Sequence, residues 1–238
     1  MDGFLLSIDD NKRKLALAHL VEHGFSQVDP VQGTRPDSPE PTVQEISDCI
    51  CAGHYECTKR YTEKPKRSRH IIIFEDDCRF LGTLAADTIQ KAVDFLDENY
   101  KWGSFHVGHV PLGLLLPLKN SATVWRSLTP FAAHCYVLNG ETAAKLIETV
   151  PKSNWRRPYL VEGMRLVSSN ERFAMFPSIA MQNQIPKELK AVLGTRITYH
   201  TGCRIMEGLT LSLTVAILVI FALLSFFLIR GLYRSSVS

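Results

Sequence analysis

Short apolar runs alternate with longer amphipathic stretches along most of this chain, and each run predicts an element. Phe4 to Ile8 reads as a strand, and Asp9-Asp10-Asn11 then caps a helix through about His23, with Leu15, Leu17, Leu20 and Val21 at roughly helical spacing. Gly24 follows as the residue that ends it. Phe25 to Val31 predicts a second strand, and the three prolines between Gly33 and Pro41 a loop. Thr42 to Tyr61 predicts a helix, with Glu45 three residues after Thr42 as in a capping box. His70 to Phe74 is a β-branched strand, and Asp87 to Asn99 a helix with Ile89, Ala92, Val93, Phe95 and Leu96 on its buried stripe.

The second half continues the pattern less regularly. Phe105 to Val107 and Ala132 to Leu138 predict strands, separated by the proline-broken apolar segment Val110 to Leu118. Asn139-Gly140 turns into a helix over Glu141 to Val150. Pro158 to Val167 has helical character, and Phe173 to Met181 is extended around Pro177. Alternating strands and helices predict an α/β sandwich with a largely parallel central sheet. The expected domain covers residues 1–186, followed by a juxtamembrane linker over 187–208.

Leu209 to Ile229 breaks the pattern, because it has no charge, proline or glycine. As a helix it would be roughly 31 Å long, the thickness of a bilayer's hydrocarbon core. It predicts a single transmembrane helix, with 230–238 as a short tail. The N-terminus carries no signal-peptide pattern, since Asp2, Asp9 and Asp10 surround only a short apolar run. The expectation is a tail-anchored protein with its folded domain in the cytosol; basic residues flank both sides of the span, which leaves a lumenal orientation open.

A net charge of +3 gives no argument for nucleic acid as a partner. The basic stretch Lys59 to Arg69 reads as a solvated loop, with a phosphate-attracting or membrane-surface patch as the alternative. Cys49, Cys51, His54 and Cys57 lack the paired spacing of structural zinc sites, and small cysteines on a core-facing helix account for them.

The candidate chemistry lies in Glu75-Asp76-Asp77, directly behind Ile71-Ile72-Ile73-Phe74. Adjacent acids repel one another and favour solvated turns, which is the plain account. At the carboxyl end of a buried strand, however, they stand where open α/β sheets hold ligands. Hard oxygen donors of this kind suit Mg²⁺ or Mn²⁺, and such an ion neutralises a diphosphate.

The order of segments resembles glycosyltransferase family 25, which includes lipooligosaccharide sugar transferases and collagen galactosyltransferases. Phe4-Leu5-Leu6-Ser7-Ile8-Asp9-Asp10-Asn11-Lys12-Arg13 is similar to that family's first strand and charged turn, and Val31-Gln32-Gly33 to the end of its second strand. Ala52-Gly53-His54-Tyr55 resembles its helix with a Ser-His pair, and Ile73-Phe74-Glu75-Asp76-Asp77 its metal motif. Trp102 to Gly108 resembles its Trp-containing strand, Ala133-His134-Cys135-Tyr136-Val137 its His-x-Tyr strand, and Ala143-Ala144-Lys145-Leu146 the helix behind. Pro177 and Gln182 fall where the family has a late Pro and Gln. The chain departs from the pattern at Gly53, where the family has Ser, and around Glu162, where it has Asp.

The resemblance implies a GT-A-type fold and an inverting transfer of a hexose from a UDP-sugar to a hydroxyl on a protein, glycan or lipid. It further implies Mn²⁺ or Mg²⁺ held by Asp77, with Glu75 as a second ligand, a water-mediated ligand or a ribose contact. Asp76 would face the other way and brace the turn. Glu162 is the candidate base that takes the acceptor's proton, with a plain surface carboxylate as the alternative. His134 is either a ligand to metal or diphosphate or a core histidine, and His54 either a donor contact or helix–sheet packing. Arg13 and Lys12 are candidates for diphosphate or uracil, against a solvated helix start. The rival class is a membrane-anchored nucleotide-sugar-binding pseudoenzyme or scaffold. A hydrolase or phosphoryl-transfer domain would want a phosphate-cradling Gly-rich loop, and the sequence has none.

Overall fold

Local signals at the helix ends set the first half of the fold. The computed structural model describes residues 1–82, 84–110, 115–127, 131–150 and 171–182, together with 208, 209, 211, 212, 214–217, 219 and 220. Strand β1 (Asp2–Ser7) leads into helix α1 (Asp10–Glu22), whose N-cap Asp9 accepts from the backbone N–H groups of Asn11 and Lys12. Gly24, at φ +92°, takes the chain out of α1 in a conformation that side chains rarely adopt. Strand β2 (Val28–Gln32) starts three residues later than the apolar pattern predicts, because Phe25 is drawn into the core against Phe74 and Phe80. Helix α2 (Val43–Glu63) opens on the capping box of Thr42 and Glu45.

Strand β3 (His70–Glu75) includes the first acid and is followed by β4 (Cys78–Phe80), which the sequence pattern did not announce. Helix α3 (Ala85–Asn99) has no side-chain cap; the Ala86 N–H is met by the His23 carbonyl at the end of α1. Strand β5 (Ser104–Val110), the hairpin of β6 (Leu115–Leu118) and β7 (Ser121–Ser127), and β8 (Phe131–Asn139) follow. Helix α4 (Gly140–Thr149), β9 (Arg172–Met175) and β10 (Ala180–Gln182) complete the described elements. The hairpin corrects the reading of 110–118 as an irregular segment, since Leu115 to Leu118 pair with β7.

The main sheet has eight strands in the order β2-β1-β3-β8-β5-β9-β7-β6, and β10 pairs with β4 in a second ladder. β1 runs parallel to β2 and β3, and β5 parallel to β9, while β8 runs antiparallel to both neighbours and β7 to both of its own. The sheet is therefore mixed, with a reversed strand at its centre rather than at its edge.

Alternation along β3 divides the core. Ile72 and Phe74 pack with α1 and α3 through Ala16, Leu20, Ile89 and Val93. Ile71 and Ile73 pack on the other face with Cys51, Cys57 and Tyr61 of α2 and Ala143 and Leu146 of α4. Gly53 brings α2 close to the sheet: a Cβ there would lie 2.4 Å from Leu6 Cδ1. Helix layers cover both faces, as an α/β sandwich requires.

Residues 208, 209, 211, 212, 214–217, 219 and 220 are helical. Among the described residues no helix is long and apolar enough to cross a membrane, and the rest of the predicted span 209–229, its tail and nearly all of the predicted linker lie outside them. The helical reading of 158–167 also falls outside the described residues.

Candidate functional site

The chain leaves β1 for β2 on one side and then crosses back to β3 on the other. Such a reversal opens a crevice outside the carboxyl ends of the two inner strands. Ser7 ends β1 and Glu75 ends β3, so the acids stand at this crevice. A cleft of about 220 Å³ lies there, lined by Glu75, Asp76 and Asp77 together with Ile8, Ile46 and Ile50. Those three isoleucines are exposed, an uneconomical arrangement unless something covers them.

The three acids have three different environments. Glu75 continues the alternation of Ile71 and Ile73 and so faces α2, where its Oε1 lies 3.0 Å from Nε2 of His54. Asp76 faces the opposite way and accepts from the Ser7 hydroxyl at 2.6 Å, tying the turn to β1. Asp77 has a buried Oδ1 without a hydrogen-bond partner in the described structure. Burial, reinforced by the charges of Glu75 and Asp76, pushes its carboxyl up to about 7; Lys12 and Arg79 pull only partly in the other direction. A carboxylate held this way gains from any cation that enters.

The structure places the remaining predicted residues at differing depths. His54 is 1 % exposed, behind Glu75 rather than in the cleft, and its Nδ1 lies 3.0 Å from the Tyr136 hydroxyl. His134 is fully buried, with Nε2 3.1 Å from the Ala180 carbonyl and Nδ1 without a hydrogen-bond partner among the described residues. Arg13 pairs with Asp10 and donates to Gln32 at the end of β2, beside the cleft wall rather than at the acids. Glu162 lies outside the described residues. Antiparallel pairing of β10 with β4 sets Gln182 opposite Cys78, directly after Asp77.

Sequence reasoning assigned no role to Arg79, Ser7 or Tyr136. Arg79 donates to the Asp76 and Cys78 carbonyls and so locks the acidic turn. Its position two residues beyond the acids was the only signal. Tyr136 stands opposite Ile73 in the β3–β8 ladder, so its side chain emerges on the α2 face.

A divalent ion fits this donor set in chemistry, though not as a closed cage. Among the described residues no group of three or more His, Cys, Asp or Glu converges as metal ligands. Mg²⁺-type sites commonly take one or two carboxylates and leave the other positions to water and phosphate. Asp77, with its orphaned oxygen, and Glu75 supply that number.

A larger cavity of about 640 Å³ lies at the other end of β3, lined by Arg69, Asp97, Trp102, Asn139 and Glu171 among others. Its polar groups pair with one another: Asp97 accepts from Trp102 Nε1 and lies 2.8 Å from Nε2 of His70, and Lys101 pairs with Glu171. Size does not identify the chemistry here: it is the smaller cleft that holds the unpartnered carboxylate oxygen of Asp77.

No family model matches the chain, and no curated protein does. Solved structures of similar shape include A197 from STIV, with TM-score 0.47 and 9% identity over 73% of this chain and 81% of that one. A protein named as a glucose-1-phosphate thymidylyltransferase of Bacillus anthracis, in complex with sucrose, gives 0.43 and 10% over 86% and 99%. A glycosyltransferase involved in glycosylation of the major capsid of PBCV-1 gives 0.44 and 9% over 87% and 99%. At these TM-scores the likenesses assign no function to this chain.

Proposed function

We propose that this chain is a metal-dependent, inverting glycosyltransferase that moves a hexose from a UDP-sugar to a hydroxyl acceptor. One observation carries the reading: Asp77 keeps a buried, unpartnered carboxylate oxygen beside two further acids, at the carboxyl-end crevice between β1 and β3. Structure-only roles seldom retain such a group, because a buried acid without a partner is destabilising. The resemblance of the motif order to family 25 supports the same reading.

Asp77 and Glu75 would hold Mn²⁺ or Mg²⁺. The bound ion supplies Lewis-acid stabilisation of the charge that develops on the leaving diphosphate. The isoleucines lining the cleft offer an apolar surface for the planar base, and Lys12, within electrostatic reach of Asp77, offers a cation to the diphosphate. Ser7 and Arg79 hold the acidic turn in place while donor binds. Glu162 is proposed as the base that takes the acceptor's proton. The apolar stretch Leu209 to Ile229 supports attachment to a membrane.

A donor-binding scaffold without turnover is the second reading, favoured by the lack of a converged three-ligand cluster among the described residues. The test is UDP release by the full-length protein in detergent, across a panel of UDP-sugars with and without Mn²⁺. Mn²⁺-dependent release from one donor, lost in Asp77→Ala, establishes the transferase. Binding of a donor without release establishes the scaffold, and absence of binding overturns both.

A further inference from the structure

Behind Glu75 runs a hydrogen-bond chain that the proposed chemistry has not used. Glu75 Oε1 meets His54 Nε2 at 3.0 Å, and His54 Nδ1 meets the Tyr136 hydroxyl at 3.0 Å. The chain thus joins the end of β3, the middle of α2 and the central strand β8. His54 and Tyr136 are each 1 % exposed, so neither touches a ligand in the cleft. We infer that Tyr136 and His54 are positioning residues, which fix Glu75 so that it presents its carboxylate to the ion and donor in the cleft. The inference rests on the metal- and donor-binding reading above.

The chemistry of the groups gives the chain a direction. An ionised carboxylate only accepts, so the proton between Glu75 and His54 belongs to Nε2. In a neutral imidazole Nδ1 is then the acceptor, and Tyr136 donates its hydroxyl proton to it. The tautomer follows from the partners: Glu75, which only accepts, selects it, and Tyr136, which can donate or accept, holds it by donating to Nδ1.

The backbone gives the chain rigidity. Tyr136 pairs with Ile73 on one side and with His106 on the other, and its ring stacks on His106 at 5.8 Å and 20°. A phenol anchored in two ladders has little freedom to follow a moving partner. Gly53 lets α2 lie close enough to β1 for the adjacent His54 to reach both ends of the chain. Glu75, with 20 % of its side chain exposed, is the only member that lines the cleft. Partners of this kind, one step removed from a metal, characteristically change its affinity by about 10- to 100-fold when removed.

Tyr136→Phe deletes one oxygen and keeps the ring. Mn²⁺ affinity of the full-length protein, read from the electron paramagnetic resonance signal of free Mn²⁺, is expected to weaken about 10-fold. In a Glu75→Ala background the same change is expected to have no further effect, because the acceptor it acts through is gone. His54→Gln, compared in the same two backgrounds, repeats the test should the Tyr136 variant fold poorly. A merely structural role would weaken Mn²⁺ binding equally with and without Glu75, and that result overturns the inference, as does affinity within about twofold of the wild type for both variants. If the wild-type protein binds no Mn²⁺ at all, the parent reading falls and the inference with it.

Discussion

Strand β3 begins with His70 and ends with Glu75, and at each end a buried histidine meets a carboxylate. At the His70 end the carboxylate's account closes, although His70 Nδ1 itself has no partner among the described residues. Asp97 takes hydrogen bonds from His70 and Trp102 and a charge contact from Arg69, and these hold its carboxyl below the usual range despite burial. At the Glu75 end it stays open, with three adjacent acids, one buried oxygen unpartnered, and a carboxyl pushed up to about 7. The same strand therefore carries a carboxylate with its partners at one end and one without at the other. What separates them is whether the protein supplies the missing partners itself.

That contrast can be broken most forcefully at Asp97. Replacing it with Ala leaves the His70 and Trp102 donors without their acceptor and is expected to cost about 3 kcal/mol of stability by chemical denaturation. Mn²⁺ binding by the folded fraction is expected to persist. At the other end the sign reverses: Asp77→Asn removes a crowded negative charge and is expected to stabilise the metal-free protein by about 1 kcal/mol. Saturating Mn²⁺, at a hundred times its dissociation constant, is expected to stabilise the wild type by about 2.7 kcal/mol and the Asp77→Asn variant not at all. A calorimetric scan with and without the ion reads both.

A smaller effect follows from the histidines. Burial lowers the pKa of His70 and of His134 in the folded protein, so the unfolded chain binds those protons first as pH falls. Stability contributed by their neutral forms is present above about pH 6.5 and declines as pH drops through that value toward the folded pKa. Denaturation midpoints of Asp77→Asn between about pH 7.5 and 5.5 isolate the trend from the acidic cluster. The smallest effect is expected at Lys101, whose pair with Glu171 is 87 % exposed on the lysine side; Lys101→Ala should leave the denaturation midpoint unchanged.

Most helices and central strands were legible because their signals are local. The Thr42–Glu45 box, the Asp9 cap and the Asn139 cap are each contained within a few residues, and the structure uses all three. Strand β4 and the β6–β7 hairpin escaped because a short or half-exposed strand is defined by its partner, not by its own pattern. The mixed sheet escaped for a related reason: nothing within Phe131 to Asn139 records that it inserts in reverse between β3 and β5. In the site, the acids were legible as a string of charges at the end of an apolar run. Their unequal roles were not, since these depend on Ser7, His54 and Tyr136, brought together from distant parts of the chain. The sequence leaves His54 between donor contact and packing; the structure puts it behind the acid.

Gly53 carries a consequence for how this protein can vary. Leu6 fills the space that a side chain at position 53 would need, and Gly53 stands on α2 directly beside His54. Introducing the serine that family 25 has there would require Leu6 to yield at the same time. The two positions are thus expected to exchange bulk as a pair: among related chains, a larger residue at 53 should accompany a smaller one at 6. A single substitution at either position would reach His54 before it reached any ligand.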